Sequence, residues 1–379
     1  MLKQWTLAVA ATAMLSIIWP GAAMAAKKPS GLPPDLGARA AILVNARTGA
    51  ILYEKNAFRQ MDPASLTKMM TALLVIEHGD LNRVVTVSKR ADYTTGSSLH
   101  IGQGQQYTRL DLLKGLLLRS GNDASVALAE SEAGSVERFV AEMNVKAQQL
   151  GAFNTSFENT HGLTRPGHYS SAYDLSLIAR TALRMPLFQE IVKSQEQQIT
   201  ELTRHRKRTI NTTNQLLYGF PGADGVKTGT TSAAGKCLVA SATRDNRQLI
   251  AVVLNSPDRW QDASSLLNWG FAAWSPVKAV SAGEGLIQRP VSSGNPSTTT
   301  LVAHRSIWVD LPANGSYETS MDVPERLEAP LSPRQRAGFV TVTPPAQPPI
   351  RIGLYPVQAV RKKLAPARFW DWLFHRHPR

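Results

Sequence analysis

The sequence predicts an α+β fold: one antiparallel sheet built from both ends of a long segment and covered by helices, followed by a small all-β unit. Three observations predict it. Apolar runs with strand character stand at "AILVNARTGAILYEKN" (residues 41–56) and return at "VKTGTTSAAGKCLVASATRDNRQLIAVVLN" (residues 226–255). Between them, from Pro63 to about Ala182, apolar residues recur mostly at helical spacing. After Trp274 the composition turns to Pro, Ser, Thr and Val, with short alternating runs such as "SIWVDL" and "AGFVTV" between Pro and Gly turns.

At 379 residues, 43% hydrophobic and 18% charged, the chain can bury one large core and a smaller one. Residues 1–25 carry Lys3, an apolar run broken by Pro20, and the small residues Ala23 and Ala25, the pattern of an export leader cut after Ala25. The run from Leu7 to Trp19 is shorter than the roughly 20 apolar residues of a membrane span. The mature chain is therefore expected in the periplasm or cell envelope. Its single cysteine, Cys237, excludes an intramolecular disulfide, and within "GKCLVASA" it reads as a small buried hydrophobe. In an exported chain the net charge of +14 favours anionic lipid or acidic wall polymer over nucleic acid.

Residues 26–276 are expected to form the first unit. A Pro, Gly and Lys linker (26–36) leads into two strands around a turn near Thr48-Gly49. "DPASLTKMMTALLVIEHG" (62–79) then reads as a buried helix starting at Ser65 and Lys68, with Leu66, Met69, Met70, Leu73, Leu74 and Ile76 packed around them. "LLRSGNDASVALAE" breaks a helical pattern at Ser120-Gly121-Asn122, and Arg244-Asp245-Asn246 separates the last two apolar runs. A helix at "DASSLLNWGFAAW" closes the unit. Residues 277–357 read as the β-rich unit. Residues 358–379 read as a basic aromatic tail, with Pro366 starting a short amphipathic helix that presents Phe369, Trp370, Leu373 and Phe374 on one side. That helix either lies on an anionic membrane surface or packs on the β unit.

The chemistry resides in three short motifs. A serine becomes nucleophilic when a neighbouring base takes its proton, and a lysine one helical turn away is such a base once desolvation or nearby positive charge displaces its own proton. Ser65 and Lys68 have that spacing. The break at Ser120-Gly121-Asn122 can point a hydroxyl and an amide into a cleft. Lys227-Thr228-Gly229 lies in a strand pattern, with a glycine where a ligand backbone could approach closely. S-x-x-K, S-x-N and K-T-G in this order form the signature of the penicilloyl-serine enzymes.

"PASLTKMMTALL", "GSSLHIGQGQQYTRLDLLKGLLLRSGNDASVALAE", "NTHGL", "SSAYDLSLIAR" and "GVKTGTTSAAGKCLVASA" resemble the low-molecular-weight penicillin-binding proteins that act as D-alanyl-D-alanine carboxypeptidases. "LEAPLSPRQRAGFVTV" resembles the β-rich C-terminal domain that shorter endopeptidase relatives lack. The resemblance implies a penicilloyl-serine transferase (β-lactamase-like) domain. It makes Ser65 the acylated nucleophile, Lys68 its general base, Ser120 a proton relay to the leaving group and Asn122 a partner of the substrate amide. It makes Lys227 an electrostatic partner in the cleft, has Thr228 and Gly229 line the substrate strand, and forms the oxyanion hole from the N–H groups of Ser65 and Thr230. Arg259 sits where the family places an arginine near the substrate's terminal carboxylate; its alternative is a solvated loop arginine.

The resemblance implies removal of the terminal D-alanine from peptidoglycan stem pentapeptides through an acyl-enzyme, β-lactams as covalent inhibitors, and no metal or organic cofactor. A D,D-endopeptidase, a weak β-lactamase and a non-catalytic wall-binding protein are the alternatives. Thr230 stands where some relatives carry histidine, and no distinct glutamate-bearing loop stands ready to activate a deacylating water, which weakens the β-lactamase reading. His161, His168 and the basic run 203–209 read as loop residues.

Overall fold

The computed structural model describes residues 32–345 and 347–363. The expected leader and the tail beyond residue 363, with the amphipathic helix expected there, lie outside the described residues. The chain divides into two compact units, with the boundary between Ser275 and Pro276.

The first unit is organised around a five-stranded sheet. Strands β1 (Ala40–Asn45) and β2 (Ile51–Lys55) come first, and the chain then leaves the sheet for its helical middle. That middle holds α1 (Lys68–His78), the short β3 (Val84–Thr86), α2 (Lys89–Asp92), β4 (Gln106–Thr108), α3 (Arg109–Leu118), α4 (Asn122–Ala133), α5 (Val136–Gln149), α6 (Ala172–Ala182) and α7 (Pro186–Val192). A two-stranded hairpin, β5 (Glu196–Glu201) and β6 (Arg206–Asn211), precedes β7 (Ala223–Thr231), β8 (Gly235–Arg244), β9 (Arg247–Ser256) and α8 (Arg259–Ala273).

The sheet order is β2-β1-β9-β8-β7, so the two ends of the unit meet where β1 pairs antiparallel with β9. Strand side chains alternate between faces, and here both faces are covered. Ile42, Val44, Ile250 and Val252 join the core shared with α1, α3, α4 and α6, while Leu43, Leu249, Ala251 and Val253 pack with Leu266 and Leu267 of α8. Two-sided burial explains why these strands read as continuous apolar runs. Asp245 and Asn246 turn β8 into β9 with φ of 48° and 59°, the left-handed pair a tight two-residue hairpin requires. Helix α1 is buried from Lys68 to Val75, because it runs through the middle of the unit.

The middle is mostly helical as expected, interrupted by β3, which pairs with β4, and by residues 150–171, which run irregularly between α5 and α6. One expectation needs correction. The basic run 203–209 is not simply a loop, since Arg206 onward forms β6. In the β5–β6 hairpin only Ile199 and Ile210 bury apolar side chains, so its sequence carries almost no strand alternation.

Among the described residues the second unit is all β. Its six-stranded sheet runs in the order Glu318–Asp322, Gly338–Thr343, Ile350–Pro356, Thr298–Ala303, Gly285–Ser292, Leu327–Glu328. Leu301, Ala303, Val340, Val342, Ile352 and Leu354 contribute to its core. "SIWVDL" and "AGFVTV" become the strands Ile307–Pro312 and Gly338–Thr343.

Candidate active site

Ser65 lies in a tight 3-10 turn, Ala64–Thr67, and the α-helix begins only at Lys68. The sequence reading placed Ser65 at the start of that helix. The difference arises at Ala64, whose φ of 47° is left-handed, and in the bonds that close the turn: Leu66 N–H to the Pro63 carbonyl at 3.2 Å and Thr67 Oγ1 to the Ala64 carbonyl at 2.9 Å. The turn leaves Ser65 half-exposed, whereas Lys68 is wholly buried.

Lys68 Nζ lies 2.9 Å from Ser65 Oγ, 2.6 Å from Asn122 Oδ1 and 2.7 Å from the His161 carbonyl oxygen. Burial, with the positive charge of Lys227 second and partly opposed by Asp123, holds its pKa well below that of a free lysine. The neutral amine has two N–H donors and one lone pair. Asn122 Oδ1 and the His161 carbonyl can only accept, and the Asn122 amide is oriented by donation from Nδ2 to the Thr95 carbonyl at 2.7 Å. Both N–H groups of neutral Lys68 are therefore taken, and its lone pair is left for the Ser65 hydroxyl proton.

The break between α3 and α4 sets the opposite wall. Ser120 has φ of 61°, and its buried Oγ has no hydrogen-bond partner among the described residues. A buried hydroxyl without a protein partner takes one from water or from a bound ligand. Asn122 opens α4 with its N–H on the Ser97 carbonyl at 2.7 Å. The next residue, Asp123, is also buried and accepts from Ser98 Oγ at 2.6 Å, Leu99 N–H at 2.9 Å and Ile101 N–H at 3.3 Å, which ties the 97–101 loop to the helix start.

Strand β7 is the outer strand of the sheet. A Cβ on Gly229 would stand 3.0 Å from the Ser65 nitrogen, so only glycine lets the strand press this closely on the turn that carries Ser65. Lys227 is buried with its Nζ on the Thr228 carbonyl at 3.0 Å; burial, then the charge of Arg259, lowers its pKa to about 7. Thr228 Oγ1 meets Thr213 Oγ1 at 2.7 Å, and the exposed Thr230 donates to the Gly229 carbonyl at 2.8 Å.

Arg259 is the first residue of α8, half-buried rather than a solvated loop side chain, which corrects the alternative reading. Its Nη1 lies 2.8 Å from the Gly229 carbonyl, 2.8 Å from Thr230 Oγ1 and 3.2 Å from the Cys237 carbonyl. Arg259 thus reaches the same end of β7 as Ser65. Cys237 itself is buried in β8 and burial raises its thiol to about 11, which makes it a poor nucleophile.

Sequence reasoning missed the backbone of His161, a ligand of Lys68 with no side-chain signature, and the burial of His168, which is only 3% exposed. The fragment "NTHGL" marked the segment but not the carbonyl that meets Lys68.

Residues 23–258 match the model of the D-alanyl-D-alanine carboxypeptidase family. The chain belongs to that family. It is 35% identical to the D-alanyl-D-alanine carboxypeptidase DacF of Bacillus subtilis, over 80% of this chain and 81% of the relative. It is 36% identical to DacC of Escherichia coli, over 81% of this chain and 80% of the relative. Among solved structures, penicillin binding protein 5 from Haemophilus influenzae superposes with a TM-score of 0.75 at 32% identity, covering 88% of this chain and all (100%) of that one. The Streptomyces K15 DD-transpeptidase superposes with a TM-score of 0.61 at 34% identity, covering 64% of this chain and 100% of that one. The carboxypeptidase family resemblance read from the motifs is thus borne out, as is the α+β fold.

Proposed function

We infer that Ser65 performs the cleavage, with Lys68 as its base. Family and relatives make the chain a serine-type D,D-carboxypeptidase that acts on peptidoglycan stem peptides and binds β-lactams. The observation that carries the assignment of roles is the contact of buried Lys68 Nζ with Ser65 Oγ at 2.9 Å, its two other partners being the acceptors Asn122 Oδ1 and the His161 carbonyl. As Ser65 Oγ bonds to the carbonyl carbon of the penultimate D-alanine, its proton passes to Lys68 and the carbonyl electron pair moves to oxygen. That oxyanion faces the Ser65 and Thr230 N–H groups. Its collapse breaks the C–N bond, and the departing D-alanine amine takes the proton from Lys68 through Ser120. Water then attacks the acyl-serine by the same route in reverse. The substrate strand lies along the outer edge of β7, lined by Thr228 and Gly229, with Lys227 and Arg259 as cations for its terminal carboxylate.

Incubation with a fluorescent penicillin, followed by mass spectrometry, is expected to place the adduct on the peptide containing Ser65, and a D-Ala-D-Ala pentapeptide is expected to release D-alanine. An adduct on another serine would remove the assignment. In the same assay Arg259→Ala is expected to lower kcat/KM for the free-acid peptide about tenfold or more relative to its C-terminal amide, the size of one charge-assisted hydrogen bond. An unchanged ratio with a lower melting temperature makes the arginine a tether of β7.

We also propose that the enzyme works in the periplasm, on the outer face of the cytoplasmic membrane. The leader pattern of residues 1–25 supports export, and the cations Arg361, Lys362, Lys363, Arg368, Arg376 and Arg379 beside Trp370 and Phe374 support attachment to an anionic surface. Among the described residues no helix is long and apolar enough to cross a membrane. Residues up to Lys363 belong to the β unit, where Val360 is buried and Arg361–Lys362 pairs with Gly294–Asn295, so the test removes only residues 364–379. This is expected to shift the enzyme to the soluble envelope fraction, and continued sedimentation with membranes would exclude the tail as anchor.

A further inference from the structure

His168 sits in the irregular segment between α5 and α6, its ring against Phe157 at 5.8 Å between centroids. Its Nδ1 accepts from the Glu158 N–H at 3.0 Å, so the neutral ring carries its proton on Nε2. Burial keeps the ring neutral by lowering its pKa to about 4. Nε2 lies 2.9 Å from Thr67 Oγ1, and Thr67 Oγ1 donates its one proton to the Ala64 carbonyl at 2.9 Å. Every donor in this chain has one acceptor, and the direction is fixed from the Glu158 amide to the Ala64 oxygen.

The Ala64 carbonyl and the Ser65 N–H belong to one peptide unit. That unit is planar, so whatever fixes the direction of the oxygen fixes the direction of the N–H on its other side. The plane needs fixing, because Ala64 holds a φ of 47° that a non-glycine residue adopts at a cost of roughly 1–2 kcal/mol. No backbone or side-chain acceptor takes the Ser65 N–H among the described hydrogen bonds, which leaves it for the substrate.

We propose that His168 is a positioning residue for acylation: acting through the Thr67 hydroxyl and the Ala64 carbonyl, it aims the Ser65 N–H at the developing oxyanion. The proposal rests on Ser65 being the nucleophile, which adduct mapping on the unmodified enzyme decides separately. If the adduct is elsewhere, the assignment of Ser65 fails; if it is on Ser65 and the variants below are normal, only the role of His168 fails.

His168→Leu removes both ring nitrogens, whereas His168→Gln offers an oxygen to the Glu158 N–H and an N–H to Thr67. His168→Leu is expected to slow fluorescent-penicillin acylation and pentapeptide kcat by about tenfold to a hundredfold with KM little changed, less than the roughly 10²–10³-fold lost with an oxyanion donor itself. His168→Gln is expected to recover most of that loss. Thr67→Val should match His168→Leu, Thr67→Ser should remain close to the parent enzyme, and the double variant His168→Leu/Thr67→Val should be no slower than either single one, because both interrupt the same chain. The threonine pair carries the test if His168→Leu does not fold. Losses confined to melting temperature, a glutamine no better than leucine, or additive rate losses in the double variant would each overturn the proposal.

Discussion

Lys68→Met is expected to slow acylation of Ser65 by about 10²–10⁴-fold, the range over which general acid–base groups contribute, while the protein retains its folded circular dichroism. Ser65→Ala, which removes the bond-forming atom, is expected to give no adduct and no D-alanine release. The case for Lys68 rests on its surroundings. An ammonium here would be wholly buried beside Ser65, Asn122 and a backbone carbonyl, with no carboxylate among the described residues in its hydrogen-bond shell. Burial and Lys227 both oppose the charged form, and Asp123, engaged with the 97–101 loop, offsets them only in part. Methionine keeps the aliphatic stem and volume but has no lone pair basic enough to take the serine proton. The sign of the pH dependence follows. Acylation needs neutral Lys68, so the rate rises with pH through the lowered lysine pKa, and the acid limb lies well below the 10.5 of a free lysine. Stopped-flow acylation across pH measures both effects. A methionine variant that acylates at the parental rate, or a limb near the free-lysine value, would remove Lys68 as the base.

How much of this was legible in the sequence depends on whether a feature is carried by side chains in a pattern or by backbone. β1, β8 and β9 were visible because both of their faces are apolar, and Ser65, Lys68, Ser120, Asn122 and Lys227 because their chemistry is written in residue types at short spacings. The β5–β6 hairpin was not, since residues such as Gln197, Gln198, Arg206 and Lys207 carry no alternation. The His161 carbonyl was hidden for a different reason: any residue supplies a carbonyl, and only the path of the chain from residue 150 to 171 places this one on Lys68. Ala64 was hidden as well, because nothing in an alanine announces a left-handed conformation. Local propensity opposes it there, and tertiary contacts impose it, which is the usual mark of a functional turn.

The second large effect is expected at Gly162, which lies outside the three motifs. Gly162 has φ of 92°, and a Cβ built on it would stand 1.8 Å from the Ala64 oxygen, 2.4 Å from the Ala64 carbonyl carbon and 2.9 Å from Thr67 Oγ1. Contacts this short with backbone cannot be relieved by turning a side chain, so Gly162→Ala must move either the turn that carries Ser65 or the segment that carries the His161 carbonyl. Overpacking of this kind costs about 1–3 kcal/mol, and the left-handed backbone adds about 1–2 kcal/mol for any residue with a Cβ. For a unit of this size each kcal/mol lowers the melting temperature by about 2–4 °C, which puts the expected drop near ten degrees. The activity loss should exceed what unfolding explains. The Ala64 oxygen and the His161 oxygen hold, respectively, the plane of the Ser65 N–H and one of the two acceptors that turn the Lys68 lone pair to Ser65. Moving either by the ångström or so the methyl demands breaks the geometry in which proton transfer and oxyanion capture coincide, and misplacements of that size cost on the order of a hundredfold. Scanning calorimetry and penicillin acylation measured well below the transition separate the two effects. A variant that melts with the parent and acylates at its rate would show that the turn and the 150–171 segment are not pressed together as described; one that melts early but acylates normally while folded would show that their contact stabilises the fold without orienting Ser65.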